Sequence, residues 1–513
     1  MEPSRTTFAA KNAFWAMTGS VSNALLAFIS RTVFINILGT EYLGVNGLFT
    51  NILGMLSLAE LGVGSAVSFS LYKPLAQKDT RKIQAIINFY RNAYRVVALI
   101  VAAVGISLIP FLHYIVRGVS EVHNIYIIYC IFLFNSVTSY LITYKTTLLS
   151  ADQRNYLITN INTVVKAITA IAQIIYLLIF GNYIGYLLID AAIQLISKFY
   201  LNYFTNKRYP FIHGRNDAHL TKEERSTIFT KIRALILHKV GEVSVYQTDN
   251  IITSAFINTA VVGLVSNFTL IINTVNTFVV SIFNSATASF GNLIATETAK
   301  KQLRITKRYD FLCFVFFGWT AICLYILLDP FIIMWIGRDR LIGNLTVLLL
   351  CINYYLTGMR AGLTNVKNAA GIFEQDKWIA LCQAIANLVF SIILVKPMGL
   401  AGVYMGTLIS SMIPNISRPY VVYKYLFKQS CLPYLVEYVR RFIELAICAA
   451  TIKGIDYFLL MPNIYLRFVV LLTLCSIIPP LIIIPIYHKT DEYRYCKDIT
   501  KRMKNKLARR HHA

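Results

Sequence analysis

Fourteen apolar stretches, each about long enough to cross a bilayer, follow one another along this chain of 513 residues. A spanning helix takes about 20 mostly apolar residues, because each adds about 1.5 Å against a hydrocarbon core of about 30 Å. Such runs lie at 11–37, 42–72, 84–112, 122–149, 156–180, 183–204, 227–256, 260–294, 309–336, 344–370, 378–395, 401–423, 438–460 and 465–487. Lipid offers no partner to an unpaired backbone group, so only helices and closed barrels can cross it. The period-2 alternation of a barrel is absent, which predicts an all-α membrane protein of about 14 transmembrane helices. Several runs exceed the minimum and predict tilt or an extension into water. Gly, Ser, Thr and Asn recur within them and suit close helix packing.

Charge sets the orientation. Apolar residues make up 56% of the chain, yet the formal net charge is +25. With the N-terminus inside, the inner segments 1–11, 73–82, 145–154, 205–233, 295–308, 371–377, 424–441 and 488–513 hold 34 of the 49 Lys and Arg, and the outer loops hold 5. The positive-inside rule therefore predicts a multi-pass protein with both termini in the cytoplasm. Trp15, Trp335 and Trp378 fall near span ends, as interfacial anchors do. No signal-peptide pattern opens the chain, so its first apolar run reads as a mature helix. The nine cysteines show no metal-like spacing and read as reduced packing residues. The basic tail reads as a topology signal attracted to anionic membrane lipids rather than as a nucleic-acid site.

The connections exclude several activities. The longest outer loop, about 113–124, is too short for a catalytic or receptor domain. No GxxxxGK[ST] sequence occurs, so the chain is expected to have no ATPase of its own, and HExxH and His/Cys clusters are absent. A polar linker at 205–226 divides an N-terminal lobe, 1–204, from a C-terminal lobe, 227–425. Two further helices fill 426–488, and a basic tail fills 489–513. YLGVNGLFTNI at 42–52 and VVGLVSNFTLI at 261–271 share a framework at an offset of 219, matching Gly44 to Gly263, Phe49 to Phe268 and Thr50 to Thr269. Each opens the second helix of its half. Two six-helix lobes around a central cavity, with two added C-terminal helices, follow from that duplication.

The run SRTVFINILGTEYLGVNGLFTNILGMLSLAELGVGSAVSFSLYKPLA at 30–76 resembles the first two helices of Wzx-type polysaccharide flippases. QTDNIITSAFINTAVVGLVSNF at 247–268, NSATASFGNL at 284–293 and AAGIFEQDKW at 369–378 share the likeness, which extends over essentially the whole chain. These proteins belong to the multidrug/oligosaccharidyl-lipid/polysaccharide exporter superfamily. The resemblance implies a non-enzymatic, alternating-access carrier in the cytoplasmic (inner) membrane of a bacterium. Its substrate would be an undecaprenyl-diphosphate-linked oligosaccharide, moved to the outer leaflet for capsule, O-antigen or exopolysaccharide synthesis. A polysaccharide polymerase and a chain-length regulator are the implied protein partners.

A charge at mid-bilayer costs about 2.5–3.5 kcal/mol on insertion scales, so it faces a cavity or a partner. Arg31, Arg360, Lys239 and Lys367 are the candidate diphosphate ligands, because a guanidinium binds phosphate oxygens bidentately. The alternative reading pairs them with Glu60, Glu242 or Asp249 as structural salt bridges. Arg91 and Arg95, one turn apart, either assist substrate entry or snorkel to the interface. Lys166, Lys198 and Arg418 read as snorkelling residues, and Lys453 with Asp456 as an i, i+3 pair. Glu60, Glu242 and Asp249 also suit H⁺ or Na⁺ coupling, with no other cofactor expected. Rival functions are a multidrug cation exporter, a lipid II flippase, and, from another class, a membrane polysaccharide polymerase or glycosyltransferase.

Overall fold

A computed structural model describes residues 5–60, 63–120, 122–213, 220–226, 228–229, 247–284, 287–372, 374–376, 378–459 and 461–498. Every regular element among them is helical. In chain order the helices are α1 (Arg5–Leu56), α2 (Val63–Gln77), α3 (Thr80–Ser107), α4 (Ile125–Ala151), α5 (Asn155–Phe180), α6 (Tyr183–Arg208) and α7 (Thr259–Asn284). They continue with α8 (Thr287–Thr296), α9 (Ala299–Ile336), α10 (Asn344–Ala369), α11 (Ile379–Met398), α12 (Leu400–Val422), α13 (Leu432–Leu459) and α14 (Ile464–Tyr487). Among the described residues, nine helices are long and apolar enough to cross a membrane. Large apolar side chains stand on the surface, with Leu99 70% and Phe199 70% exposed. Water would drive such surfaces together, whereas lipid covers them. The chain is a multi-pass membrane protein.

Helix ends follow local chemistry. Asn182 caps α6 by accepting from the Ile184 and Gly185 amides, and Asn463 caps α14 in the same way. Just before the Asn182 cap, Gly181 stops α5 in the left-handed region, with φ 60°. α9 begins about ten residues before the apolar run predicts, because the polar stretch AKKQLRITKR extends the same helix into water.

The first two predicted spans are joined differently from the simple picture. α1 holds both the first span and the start of the second, bent at Gly39, where φ is 83° and ψ is −176°. That backbone region is essentially confined to glycine. The second span is then interrupted by a 3-10 turn at Ser57–Glu60 before α2 resumes it. In the second half the corresponding run, 260–294, is likewise carried by two helices, α7 and α8.

The chain divides into two compact units, Met1–Ser266 and Asn267–Ala513. The polar stretch 205–226 therefore lies inside the first unit. Residues 247–266 join that unit through specific contacts. The Thr259 amide donates to the Arg117 carbonyl at 2.9 Å, and the Ser254 hydroxyl donates to Ile115 O at 2.7 Å. Gly44 leaves no room for a Cβ against the Thr259 carbonyl, and Gly263 leaves none against the Thr40 carbonyl. Thr40 and Thr259 stand 219 residues apart, as Gly44 and Gly263 do. The two copies of the repeated segment thus cross each other reciprocally, through the small residues that let helix backbones touch in lipid.

Within the first unit, α1 packs on α5, α4 packs on α2, α3 and α6, and α5 packs on α6. In the second unit α9 and α10 pack together, α12 packs on α10 and α11, and α13 and α14 are fastened to α9.

Candidate functional site

The buried cations of the two units are held by different chemistry. In the second unit Lys367 Nζ meets Asp376 at 2.5 Å, and Arg441 Nη1 meets Asp310 at 2.6 Å, all four side chains being buried. In the first unit buried Lys145 and half-buried Arg31 and Lys198 rest on neutral oxygens, while half-buried Arg154 pairs with Asp152 at 2.7 Å. Arg31 Nη1 donates to Ser266 Oγ at 2.7 Å. Lys198 Nζ donates to Thr138 Oγ1 at 2.8 Å and to the Asn135 carbonyl at 3.1 Å. Lys145 Nζ donates to Asn206 Oδ1 at 2.5 Å and also to Asn202 Oδ1. None of these three has a carboxylate within ion-pair distance among the described residues.

The predicted site residues distribute as follows. Arg31 is half-buried on α1 and is not paired with Glu60. Glu60 lies in the turn that interrupts the second span and accepts from the Tyr94 hydroxyl at 2.5 Å. Arg360 is half-buried on α10; one turn on, the Thr364 hydroxyl donates to the Arg360 carbonyl and accepts from Arg418 Nη1 at 2.8 Å. Lys367 is engaged with Asp376, so a phosphate reaches it only if that pair opens. Arg91 is half-buried and Arg95 exposed on α3, both within electrostatic reach of Tyr144 on α4. Asp249 is half-buried in the helical stretch 247–256. Lys239 and Glu242 lie outside the described residues. Among the described residues, no three His, Cys, Asp or Glu side chains gather as a metal site.

Three expectations for individual residues change. Lys198 does not snorkel; it turns inward onto α4, where hydroxyl and carbonyl oxygens replace water. Lys145 opens the inner segment 145–154 in the sequence, yet it lies within α4 and is buried. Asp456 pairs bidentately with Arg467 at 2.7 and 2.8 Å, while Lys453 stacks over the Tyr325 ring at 4.8 Å. The Asn463 cap starts α14 where Arg467 faces Asp456 across the turn, and the fork of a guanidinium outcompetes a lysine for both oxygens.

Asp190 also escaped the sequence reading. It accepts from Asn135 Nδ2 at 3.2 Å. Asp190, Gln194, Lys198, Asn202 and Asn206 recur every fourth residue along α6. That stripe, polar on one face of an otherwise apolar span, was the available signal.

Comparison with solved structures follows from this arrangement. The lipid II flippase MurJ, in an inward closed conformation, matches with a TM-score of 0.64 at 12% identity, over 92% of this chain and 98% of that one. An inward-facing multidrug resistance transporter of the MATE family in the MOP superfamily matches with a TM-score of 0.57 at 14% identity, over 79% and 96% of the two chains. The chain has the fold of these transporters. A Vibrio cholerae MATE transporter, VcmN, matches equally at 0.57 and 14%, over 83% of this chain and 99% of its own. No protein-family model matches the chain, and neither does any curated protein.

Proposed function

We infer that the chain is a flippase for a diphosphate-linked oligosaccharide lipid, carried across by alternating access without enzymatic chemistry. The observation that carries this reading is Arg31. It is an arginine within a membrane-spanning helix, held on a serine hydroxyl and without a carboxylate partner among the described residues. A guanidinium so placed retains donors for a phosphate, and charge-assisted bonds gain strength away from water. Arg360 is assigned the second contact, with Lys239 and Lys367 assisting and Arg91 and Arg95 guiding entry. A multidrug cation carrier of the same fold would be poorly served by Arg31, a positive charge within a span with no carboxylate partner among the described residues. Lipid II presents the same diphosphate, so that alternative differs only in its glycan.

Glu60 takes one tyrosine donor and no cation among the described residues, which suits it to exchange H⁺ or Na⁺, with Glu242 and Asp249 the other candidates. The test is flipping in proteoliposomes of a fluorescent undecaprenyl-diphosphate oligosaccharide. Arg31→Gln is expected to slow it by about tenfold to a hundredfold, the worth of a hydrogen bond to a charged group. Arg31→Lys should recover part of the loss. Wild-type rates in a correctly inserted Arg31→Gln protein sink the reading. Glu60→Gln is expected to abolish the response to an imposed proton or sodium gradient.

A further inference from the structure

A cleft of about 310 Å³ opens in the first unit beside the interruption in the second span. Gly64 and Ser68 of α2, Thr146, Thr147 and Ser150 of α4, and Asn155 of α5 line it. It lies toward the end of the unit where α4 turns into α5. Its volume is at the low end of small-molecule sites, about 300–1,000 Å³, which admits a sugar residue and not a whole oligosaccharide.

The direction of the hydrogen bonds decides what such a cleft can hold. Ser68 donates to the Gly64 carbonyl at 3.0 Å, and Thr146 and Thr147 both donate to the Thr143 carbonyl, at 2.9 and 3.0 Å. Ser150 Oγ stands 3.0 Å from Asn155 Oδ1, which can only accept, so this proton is spent as well. Each hydroxyl thus keeps only lone pairs for a ligand. Among the described residues the lining is rich in acceptors and holds no carboxylate. A metal cation would find no carboxylate among the described lining residues, and Lys145 immediately precedes Thr146 along the chain. An anion would find too few donors. What remains is an uncharged ligand that offers several O–H or N–H groups.

Behind Gly64 the wall is closed by aromatic side chains, with the fully buried Tyr90 ring against Tyr94 and its hydroxyl near Thr147.

The geometry points to a carbohydrate subsite formed by Ser68, Thr146, Thr147, Ser150 and Asn155. It takes a sugar residue of the transported lipid through that sugar's own hydroxyl and amide donors. This rests on the flippase reading for the identity of the lipid, but not for the chemistry of the cleft.

The full chain in nanodiscs is titrated with two probes, undecaprenyl diphosphate and the same lipid carrying one hexosamine. Wild type is expected to bind the glycosylated probe about fivefold or more tightly, roughly one net hydrogen bond. Thr147→Val and Ser150→Ala should each reduce that preference to near unity without weakening the bare lipid or lowering the thermal midpoint. Arg31→Gln should weaken both probes alike. If the preference persists in Thr147→Val and Ser150→Ala, or if those variants weaken both probes equally, the sugar subsite is overturned. If neither lipid binds wild type, the diphosphate reading fails, and saturation-transfer NMR with free N,N′-diacetylchitobiose decides the cleft alone. Transfer lost in Thr147→Val upholds the subsite, and absence of transfer to wild type overturns it.

Discussion

Arg441 and Asp310 show what a charge in this protein costs when its partner is removed. Each side chain is 6% exposed, and Asp310 also accepts from the Tyr434 hydroxyl at 3.2 Å. Arg441→Ala leaves a buried carboxylate without a cation, a loss of about 3–5 kcal/mol that a thermal melt of the detergent-solubilised protein would register. Replacing both partners, Arg441→Met with Asp310→Leu, is expected to restore most of the midpoint. Arg31 could be singled out from sequence because it interrupts a long apolar run. Arg441 and Lys145 could not, since each sits near a span end where a cation ordinarily reaches for water. Their partners, Asp310 for one and Asn202 with Asn206 for the other, lie 131 and about 60 residues away along the chain. Sequence spacing cannot reveal a neighbour on another helix.

The second span carries the more unusual architecture. Its start is turned by Gly39, its outer part is crossed by the repeat's other copy at Gly263, and its middle is broken at Glu60. Gly39→Ala meets no neighbour within 4 Å, so its cost is backbone strain alone, about 1–3 kcal/mol. Gly263→Leu fails for the opposite reason, since the Thr40 carbonyl is backbone and no rotamer avoids it. The thermal midpoint should fall in both, and a second substitution that enlarges space around Gly39 should not rescue the first. Helix existence and most boundaries were legible because apolar run length maps directly onto bilayer thickness. The break at 57–60 was not, because SLAE carries neither proline nor glycine and reads as continuous helix. The weak repeat at offset 219 gains physical content from the Thr40–Gly263 and Thr259–Gly44 contacts, which no single half of the sequence specifies.

Beyond the last span, residues 491–498 form a helix tied back to α9. Arg308 grips Asp491 through two bonds of 2.9 Å and lies over the Tyr495 ring at 4.8 Å. The hydrogen bond from Arg308 holds the Asp491 carboxyl below its ordinary range. A carboxyl lowered on folding stabilises above its unfolded value, about 3.9, and loses that contribution as pH falls through the lower folded value. Amide exchange in 491–498 is therefore expected to speed up below about pH 4, while that of the apolar helices stays unchanged. An Asp491→Asn protein should exchange there at a rate independent of pH, after correction for intrinsic chemistry.

Composition and run length were enough to establish a helical membrane protein, because a bilayer admits few backbone solutions and each needs about 20 apolar residues in line. The same reading picked out intramembrane arginines, because a charge in lipid is costly wherever it stands. It could not say which cations are neutralised. That depends on donors and acceptors meeting across helices, and the folded chain gives Lys367 and Arg441 carboxylates but leaves Arg31, Lys145 and Lys198 on neutral oxygens. Nor could it assign the direction of each hydroxyl in the α2–α4–α5 cleft, where helix geometry turns the protons inward and leaves lone pairs for a ligand.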